Sequence, residues 1–240
     1  MEEEYRGYAV LLEQDSEPLD PRIDYDNVSE MACWHGRYRL GDRSPVGRPT
    51  NTYPWRSPAE WLRAVLCDAG EDEEELGELS VGELEGRLGR HYLWLPLYLY
   101  DHSGITMSTY PFSDPWDSGR VGLILVSFEK AAQEWGGTAD NLDVPYGPIP
   151  ERTVREQAYE YLRSEVRGYD AFIRGDVVVC SAKDPDGDVV HCVGGWFPDE
   201  NGKYEEALAD ARAAVDADIE KREEGQLALE KSLSTAGAGI

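Results

Sequence analysis

The residue types best suited to chemistry lie together in a loop-rich stretch in the middle of the chain. The five candidate catalytic residues are Asp101, His102, Ser103, Asp114 and Asp117. Carboxylates beside an imidazole can transfer protons, and carboxylate oxygens together with water are the ligands that Mg²⁺ and Mn²⁺ prefer. The stretch therefore supports one enzymatic hypothesis, a metal-dependent hydrolase or nuclease with an Asp/His site.

The same residues also have a non-catalytic interpretation, which the sequence favours. Asp and Ser beside Gly and Pro commonly hold turns through hydrogen bonds to the backbone. The adjacency of His102 and Ser103 does not indicate a nucleophile with its base, because neighbours on an extended chain point to opposite sides. The sequence has no G-x-S-x-G elbow, no P-loop and no G-x-G-x-x-G. It thus favours a protein that works without a cofactor, with Mg²⁺ or Mn²⁺ as the alternative, and leaves catalysis open.

Two short Cys and His clusters are further candidates for metal binding. They are Cys33 with His35, and His191 with Cys192. If they met across a sheet they could form a Cys₂His₂ zinc site, but zinc ligands are usually paired two to four residues apart. The four cysteines, at positions 33, 67, 180 and 192, also lack the regular spacing of a disulfide framework. We expect free, buried thiols there rather than a metal site.

A dense group of aromatic and polar side chains predicts a binding surface. Its members are Trp34, His35, Arg37, Tyr38, Trp116, Ser118 and Arg120. Trp, Tyr and Arg are enriched among the residues that dominate protein–protein interfaces. Residues 43–56 are Pro-rich and carry three Arg, which predicts a connection or a binding arm.

Two apolar runs must position these loops. Residues 92–100 and 121–126 are bounded by Asp, Gly and Pro, which predicts two buried central strands. Capping residues and apolar periodicity predict helices that begin near Ser57, Ser80, Ser127, Pro150 and Lys203.

Hairpins outnumber crossover connections in this pattern. We therefore predict an α+β fold, a mainly antiparallel sheet with helices packed on it in a single domain. The domain is expected to cover residues 1–225. Seven acidic residues in positions 68–78 predict a mobile acidic loop at about 68–80, and residues 226–240 are expected to form a flexible tail.

The composition is strongly acidic, with 48 Asp and Glu against 23 Lys and Arg and a net charge of −25. Only five of those basic residues are Lys. Such a surface keeps a protein hydrated where high salt screens its self-repulsion, which predicts a high-salt cytoplasm. Nucleic acid is disfavoured as a partner because phosphate contacts require positive charge. No apolar run is long enough to span a membrane, and the N-terminus has no signal-peptide pattern.

Several segments together resemble an uncharacterised family of small proteins encoded by tailed bacteriophages, haloarchaeal viruses and proviruses. The segments are 25–42, 95–104, 115–122, Glu165-Val166-x-x-Tyr169-Asp170 and Gly175-Asp176-Val177. The resemblance covers residues 25–42 and about 91–197 and implies a viral or mobile-element accessory protein. It brings no activity with it. Members often carry Cys where this chain has Asp114, which counts against a metal role for that position.

The leading functional expectation is an accessory protein of a haloarchaeal virus or mobile element that acts by binding a host or viral protein. Counter-defence through a DNA-like acidic surface is one form of this function. The alternatives are the metal-dependent hydrolase or nuclease, and a structural component of the virion. The sequence leaves the oligomeric state open.

Overall fold

The computed structural model describes residues 1–42 and 57–237. Its strands are β1 (Glu2–Tyr5), β2 (Tyr8–Gln14), β3 (Glu30–Cys33), β4 (Tyr92–Asp101), β5 (Ile105–Ser108), β6 (Ser118–Ser127), β7 (Pro145–Tyr146), β8 (Ile149–Thr153), β9 (Val178–Lys183) and β10 (Val189–Trp196). Its helices are α1 (Pro58–Asp68), α2 (Glu73–Gly77), α3 (Val81–Leu88), α4 (Phe128–Trp135), α5 (Val154–Arg174) and α6 (Glu205–Gly237). The connection or binding arm predicted at 43–56 lies outside the described residues.

Antiparallel pairing joins the strands in every sheet, which confirms the α+β class with helices packed on antiparallel sheets. The strands are distributed over two four-stranded sheets and one two-stranded sheet rather than a single sheet. The chain divides into two compact units, residues 1–19 with 175–240 and residues 20–174. The prediction of one domain over 1–225 stays a prediction.

The unit of residues 20–174 is built on a sheet with the strand order β3-β6-β4-β5. Its two central strands, β4 and β6, are the two apolar runs identified in the sequence. On β6, Ile124 and Val126 face a core shared with α4 and α5, whereas Leu123 and Leu125 face a core shared with α1, α2 and α3. Alternate side chains point to opposite faces of a strand, so a strand covered on both faces has a continuous apolar sequence. This is why β6 shows no polar alternation.

Helix starts in this unit follow their capping residues. Ser57 accepts a hydrogen bond from the N–H of Glu60 at 3.3 Å and Pro58 occupies the first turn of α1, as predicted. Ser127 caps α4 through the N–H of Lys130, and Gly136 ends that helix with φ of 98°. The long helix expected from Pro150 begins four residues later, because 149–153 pair as strand β8.

The acidic segment at 68–80 is not an irregular loop, which corrects the sequence analysis. Asp72 caps the short helix α2 by accepting hydrogen bonds from two backbone N–H groups. Leu76 is fully buried, and Arg63 donates to the carbonyls of Leu76 and Leu79 at 3.0 and 3.1 Å. One buried leucine and one arginine that binds two carbonyls therefore order a segment whose composition predicts solvation.

The unit of residues 1–19 and 175–240 has a sheet with the strand order β1-β2-β9-β10, packed on one face against α6. The predicted hairpin at Asp186-Gly187 is present between β9 and β10. Arg222 of α6 binds Asp184, which is almost fully buried, and Asp218. Helix α6 continues to Gly237, so the tail predicted at 226–240 is helical for most of its length.

Candidate functional site

A bulge in β6 determines how the candidate residues are presented. Leu97 of β4 is opposite Gly122, but the next residue of β4, Tyr98, is opposite Arg120. Val121 is therefore an extra residue on β6. A bulge bends its strand and redirects the side chains that precede it. Here those residues are Ser118, Gly119 and Arg120, at the start of β6.

A groove of about 330 Å³ lies beside this part of β6. It is lined by Trp34, His35, Gly36, Arg37, Leu99, Asp101, Trp116, Asp117, Ser118, Gly119, Arg120 and Val121. Every residue of the predicted binding surface except Tyr38 lines the groove. Segments that are far apart in the sequence thus meet because β3 and β4 flank β6 in the sheet.

One wall of the groove is the turn that follows β3. His35 Nδ1 accepts hydrogen bonds from the backbone N–H groups of Arg37 and Tyr38, each at 3.3 Å, which leaves its proton on Nε2. The rings of His35 and Tyr38 stack with centroids 5.0 Å apart, and the Arg37 guanidinium lies 5.8 Å from the Tyr38 ring centroid. Arg37 binds the Asp101 carboxylate at 2.7 Å and the Tyr38 hydroxyl donates to it at 3.2 Å. Tyr38 therefore supports the wall that the other two residues form.

The opposite wall is the turn that leads into β6. The Asp114 carboxylate accepts hydrogen bonds from the N–H groups of Trp116 at 2.8 Å and Asp117 at 3.4 Å, and the Ser118 hydroxyl donates to the Asp114 carbonyl. Asp114 is thus a turn residue, as the non-catalytic interpretation predicts. The turn holds Trp116 almost entirely in solvent, with 93% of its surface exposed.

Arg120 is fixed below this turn by two contacts. Its guanidinium binds the Glu85 carboxylate at 2.7 Å and lies 5.7 Å from the Trp94 ring centroid. The two basic residues that line the groove, Arg37 and Arg120, therefore each form an ion pair with a carboxylate. The groove is nearly neutral although the chain as a whole is strongly acidic.

The five candidate catalytic residues do not converge on one point. His102 Nδ1 lies 2.9 Å from Asp117 Oδ2, but this pair is largely exposed. Asp101 is bound by Arg37, Asp114 holds its turn, and Ser103 occupies the left-handed region with φ of 59° in the β4–β5 turn. Within residues 1–42 and 57–237, no three His, Cys, Asp or Glu residues are placed to hold a metal ion. The geometry gives the Mg²⁺ or Mn²⁺ hypothesis no ligand cluster in these ranges.

The Cys and His candidates are separated in the same way. Cys33 lies in the core of the 20–174 unit, where burial raises the pKa of its thiol to about 12. His191 Nε2 is 3.3 Å from an Asp210 carboxylate oxygen, and the neighbouring Cys192 is exposed. No zinc site is assembled from these residues in the part of the chain that the structure describes. The expectation of buried thiols is correct for Cys33 and Cys180, whereas Cys67 is partly exposed and Cys192, on the edge strand β10, is exposed.

Thiol accessibility gives a direct test of this arrangement. We expect the native protein at pH 8 to react rapidly with a maleimide at Cys192 and to leave Cys33 and Cys180 at least ten times slower, because both are buried and burial raises the pKa of each thiol. Peptide mass spectrometry after timed labelling would measure each site. Labelling in guanidinium chloride, where all four thiols should react, is the control. Rapid labelling of native Cys33 would contradict its position in the core.

Sequence reasoning missed some of the groove residues, namely Gly36, Leu99, Gly119 and Val121. Two of them are glycines, and glycine inside or beside a strand often marks a bulge or a close approach of backbones. The spacing of Gly119 and Gly122 around the start of β6 was thus a signal for the bulge. No such signal pointed to Leu99, which reads as an ordinary core residue.

No helix within the described ranges is long and apolar enough to cross a membrane. Comparison of this chain with models of known protein families, with characterised proteins and with solved structures found no match.

Proposed function

We propose that this chain is a non-enzymatic accessory protein of a haloarchaeal virus or mobile element, and that it binds a host or viral protein through the groove beside β6. One observation carries the proposal: Trp116, 93% exposed, lines a groove that the buried residues Leu99 and Val121 also line. The resemblance and the acidic, Lys-poor composition support the viral and high-salt setting.

The arrangement of the groove suits protein binding. A protein interface typically has a few aromatic and Arg residues at its centre, and most of the binding energy comes from these few. Trp116 and Arg37 are exposed here, whereas the turns that carry them are fixed by hydrogen bonds that their backbone N–H groups donate to Asp114 and His35. Because the backbone of both turns is held before a partner arrives, less conformational entropy is lost on binding.

The charge of the chain bears on the partner. A net charge of −25 attracts basic proteins, and because high salt shortens the screening length to about 3 Å at 1 M, the attraction acts at close contact. In counter-defence, an acidic surface would occupy the nucleic-acid site of a host protein. The near-neutral groove would then add contacts of its own beside that surface. A structural component of the virion would also bind protein. Mass spectrometry of purified virus particles tests that alternative, because only a virion component would be detected in them.

The test uses the full chain in high KCl, expressed in a haloarchaeal host and recovered with its crosslinked partner. We expect Trp116→Ala to weaken the complex about 30-fold, because truncation of an interface hot spot costs about 2 kcal/mol or more. The partner identified from the crosslinked complex is then produced separately, and titration calorimetry against each variant gives the affinity.

Tyr110→Ala is the matched control. Tyr110 is an exposed aromatic residue, 62% accessible, on the loop that precedes the groove, but it does not line the groove. The proposal requires that Tyr110→Ala bind like the native chain. Equal loss in both variants, or a partner held fully by Trp116→Ala, would refute binding through the groove.

A further inference from the structure

At the start of β6, one backbone edge has no hydrogen-bond partner among the described residues. In an antiparallel ladder, residue pairs that exchange backbone hydrogen bonds alternate with pairs that do not. The N–H of Asp101 donates to the carbonyl of Asp117 at 2.7 Å, so Asp117 points its carbonyl at β4. Because the two kinds of pair alternate, the backbone N–H and C=O groups of Gly119 point towards β4. Those of Ser118 and Arg120 point away from β4.

On the other side of β6, strand β3 stops before it reaches these residues. The last ladder pair joins Cys33 to Gly122, and the N–H of Trp34 donates to the carbonyl of Val121 at 2.6 Å. The chain then leaves the sheet in the turn at 35–38, which forms the far wall of the groove. Within residues 1–42 and 57–237, the outward backbone N–H and C=O groups of Ser118 and Arg120 have no hydrogen-bond partner.

We propose that an extended peptide segment of the partner protein enters this groove and continues β3 as an added strand against Ser118–Arg120 of β6. The inference rests on the proposed function, because it states how the partner binds at the same groove. Exposed sheet edges bind extended peptides through main-chain hydrogen bonds, and pockets beside the edge select alternate side chains. The segment should place an aromatic or large apolar side chain against Trp116.

The dimensions and charge of the groove favour this occupant. The two residues whose backbone groups point away from β4, Ser118 and Arg120, span about 7 Å of strand. They can therefore form hydrogen bonds with only a short stretch of peptide backbone. A volume of about 330 Å³ accommodates a single extended segment better than a helix, which is about 10–12 Å across with its side chains. Arg37 and Arg120 already have acidic partners, so recognition depends on backbone and aromatic contacts more than on charge.

The probe is a displayed library of random ten-residue peptides, selected on the immobilised full chain in high KCl and counter-selected on Trp116→Ala. We expect the enriched peptides to carry an aromatic or large apolar residue and to bind Trp116→Ala at least 10-fold more weakly. Amide hydrogen exchange, measured with and without the best peptide, should show the N–H groups of Ser118 and Arg120 slowed at least 10-fold on binding. The N–H of Gly119 should be slow in both states.

A pair of variants separates the contribution of the Ser118 backbone N–H from that of its side-chain hydroxyl. Ser118→Pro removes the outward N–H, and Ser118→Ala removes only the hydroxyl that bonds Asp114. We expect Ser118→Pro to bind the peptide at least 10-fold more weakly than Ser118→Ala. If Ser118→Pro fails to fold, the exchange measurement on the native chain decides.

The outcomes separate the two proposals. If a crosslinked partner binds with the Trp116 dependence given above but leaves the Ser118 and Arg120 amides in fast exchange, strand addition is refuted and protein binding stands. If no peptide is enriched over the counter-selection, the extended-peptide mode is likewise refuted. If neither peptide nor partner depends on Trp116, both proposals are overturned.

Discussion

Arg22→Met is expected to lower the free energy of unfolding by about 3–5 kcal/mol, because it removes one side of a buried ion network. Arg22 is 5% exposed. Its guanidinium binds Asp42 and Glu165, each at 2.7 Å, and also the carbonyl of Ser29 at 3.0 Å. In the variant the two carboxylates would remain in place with their charge uncompensated. Denaturant unfolding in high KCl, followed by far-UV circular dichroism, measures the loss.

Arg39→Met is the matched control, because Arg39 is an exposed arginine in the same unit. It should change the free energy of unfolding by less than about 0.5 kcal/mol, as surface substitutions usually do. An Arg22→Met protein as stable as Arg39→Met would mean that the network contributes nothing to folding. For Arg22→Met, the denaturant concentration at the midpoint of unfolding should fall, whereas the slope of the free energy of unfolding against denaturant concentration should not change.

The Arg22 network gives a structural role to polar residues of the segment 25–42. Asn27 and Ser29 meet Glu165 from α5 around this guanidinium, and the Asp42 carboxylate accepts a hydrogen bond from the N–H of Met31 at 2.7 Å. The Tyr169 hydroxyl accepts a hydrogen bond from the N–H of Gly41 at 2.9 Å, and the Asp170 carboxylate accepts one from Met107. Much of the polar density that looked functional in residues 25–42 therefore holds β3 to α5.

Local signals in the sequence predicted what depends on neighbouring residues. Capping at Ser57 and Ser127, the two central strands and the turn role of Asp114 all follow from short patterns. Features that depend on a distant partner were not predictable. Arg22 meets Glu165 across 143 positions, and no periodicity links them.

The acidic segment and the groove also show that features which depend on distant contacts could not be predicted from the sequence. Composition predicted a loop at 68–80, but Arg63 lies on another helix and supplies the contacts that order it. Most of the groove-lining residues were predicted to form one surface because aromatic and polar side chains are unusually dense there. The open edge of β6 was not found, because it follows from where β3 ends relative to the bulge at Val121.

Gly122→Ala is expected to lower the free energy of unfolding by about 3 kcal/mol, at the upper end of the usual cost of overpacking a core. A Cβ at Gly122 would lie 2.2 Å from the carbonyl oxygen of Ala32 and 3.0 Å from the Cα of Cys33. Both obstacles are backbone atoms of β3, so no side-chain rotation relieves the clash and the two strands must separate. Because Trp34 directly follows β3 and bonds the carbonyl of Val121, the variant should lose binding at the groove as well. Chemical denaturation and the calorimetric titration measure the two effects.

Gly119→Ala is the control, since a Cβ there meets nothing within 4 Å. It lies three residues away on the same strand, and it should leave stability unchanged or raise it by about 0.4–1 kcal/mol, because alanine restricts the unfolded chain. The difference between the two variants therefore isolates the close approach of β3 and β6 from the general effect of adding a methyl group. Equal stability of the two variants would show that β3 yields at this point. The end of β3, and with it the open edge beside Ser118 and Arg120, would then be a movable feature rather than a fixed one.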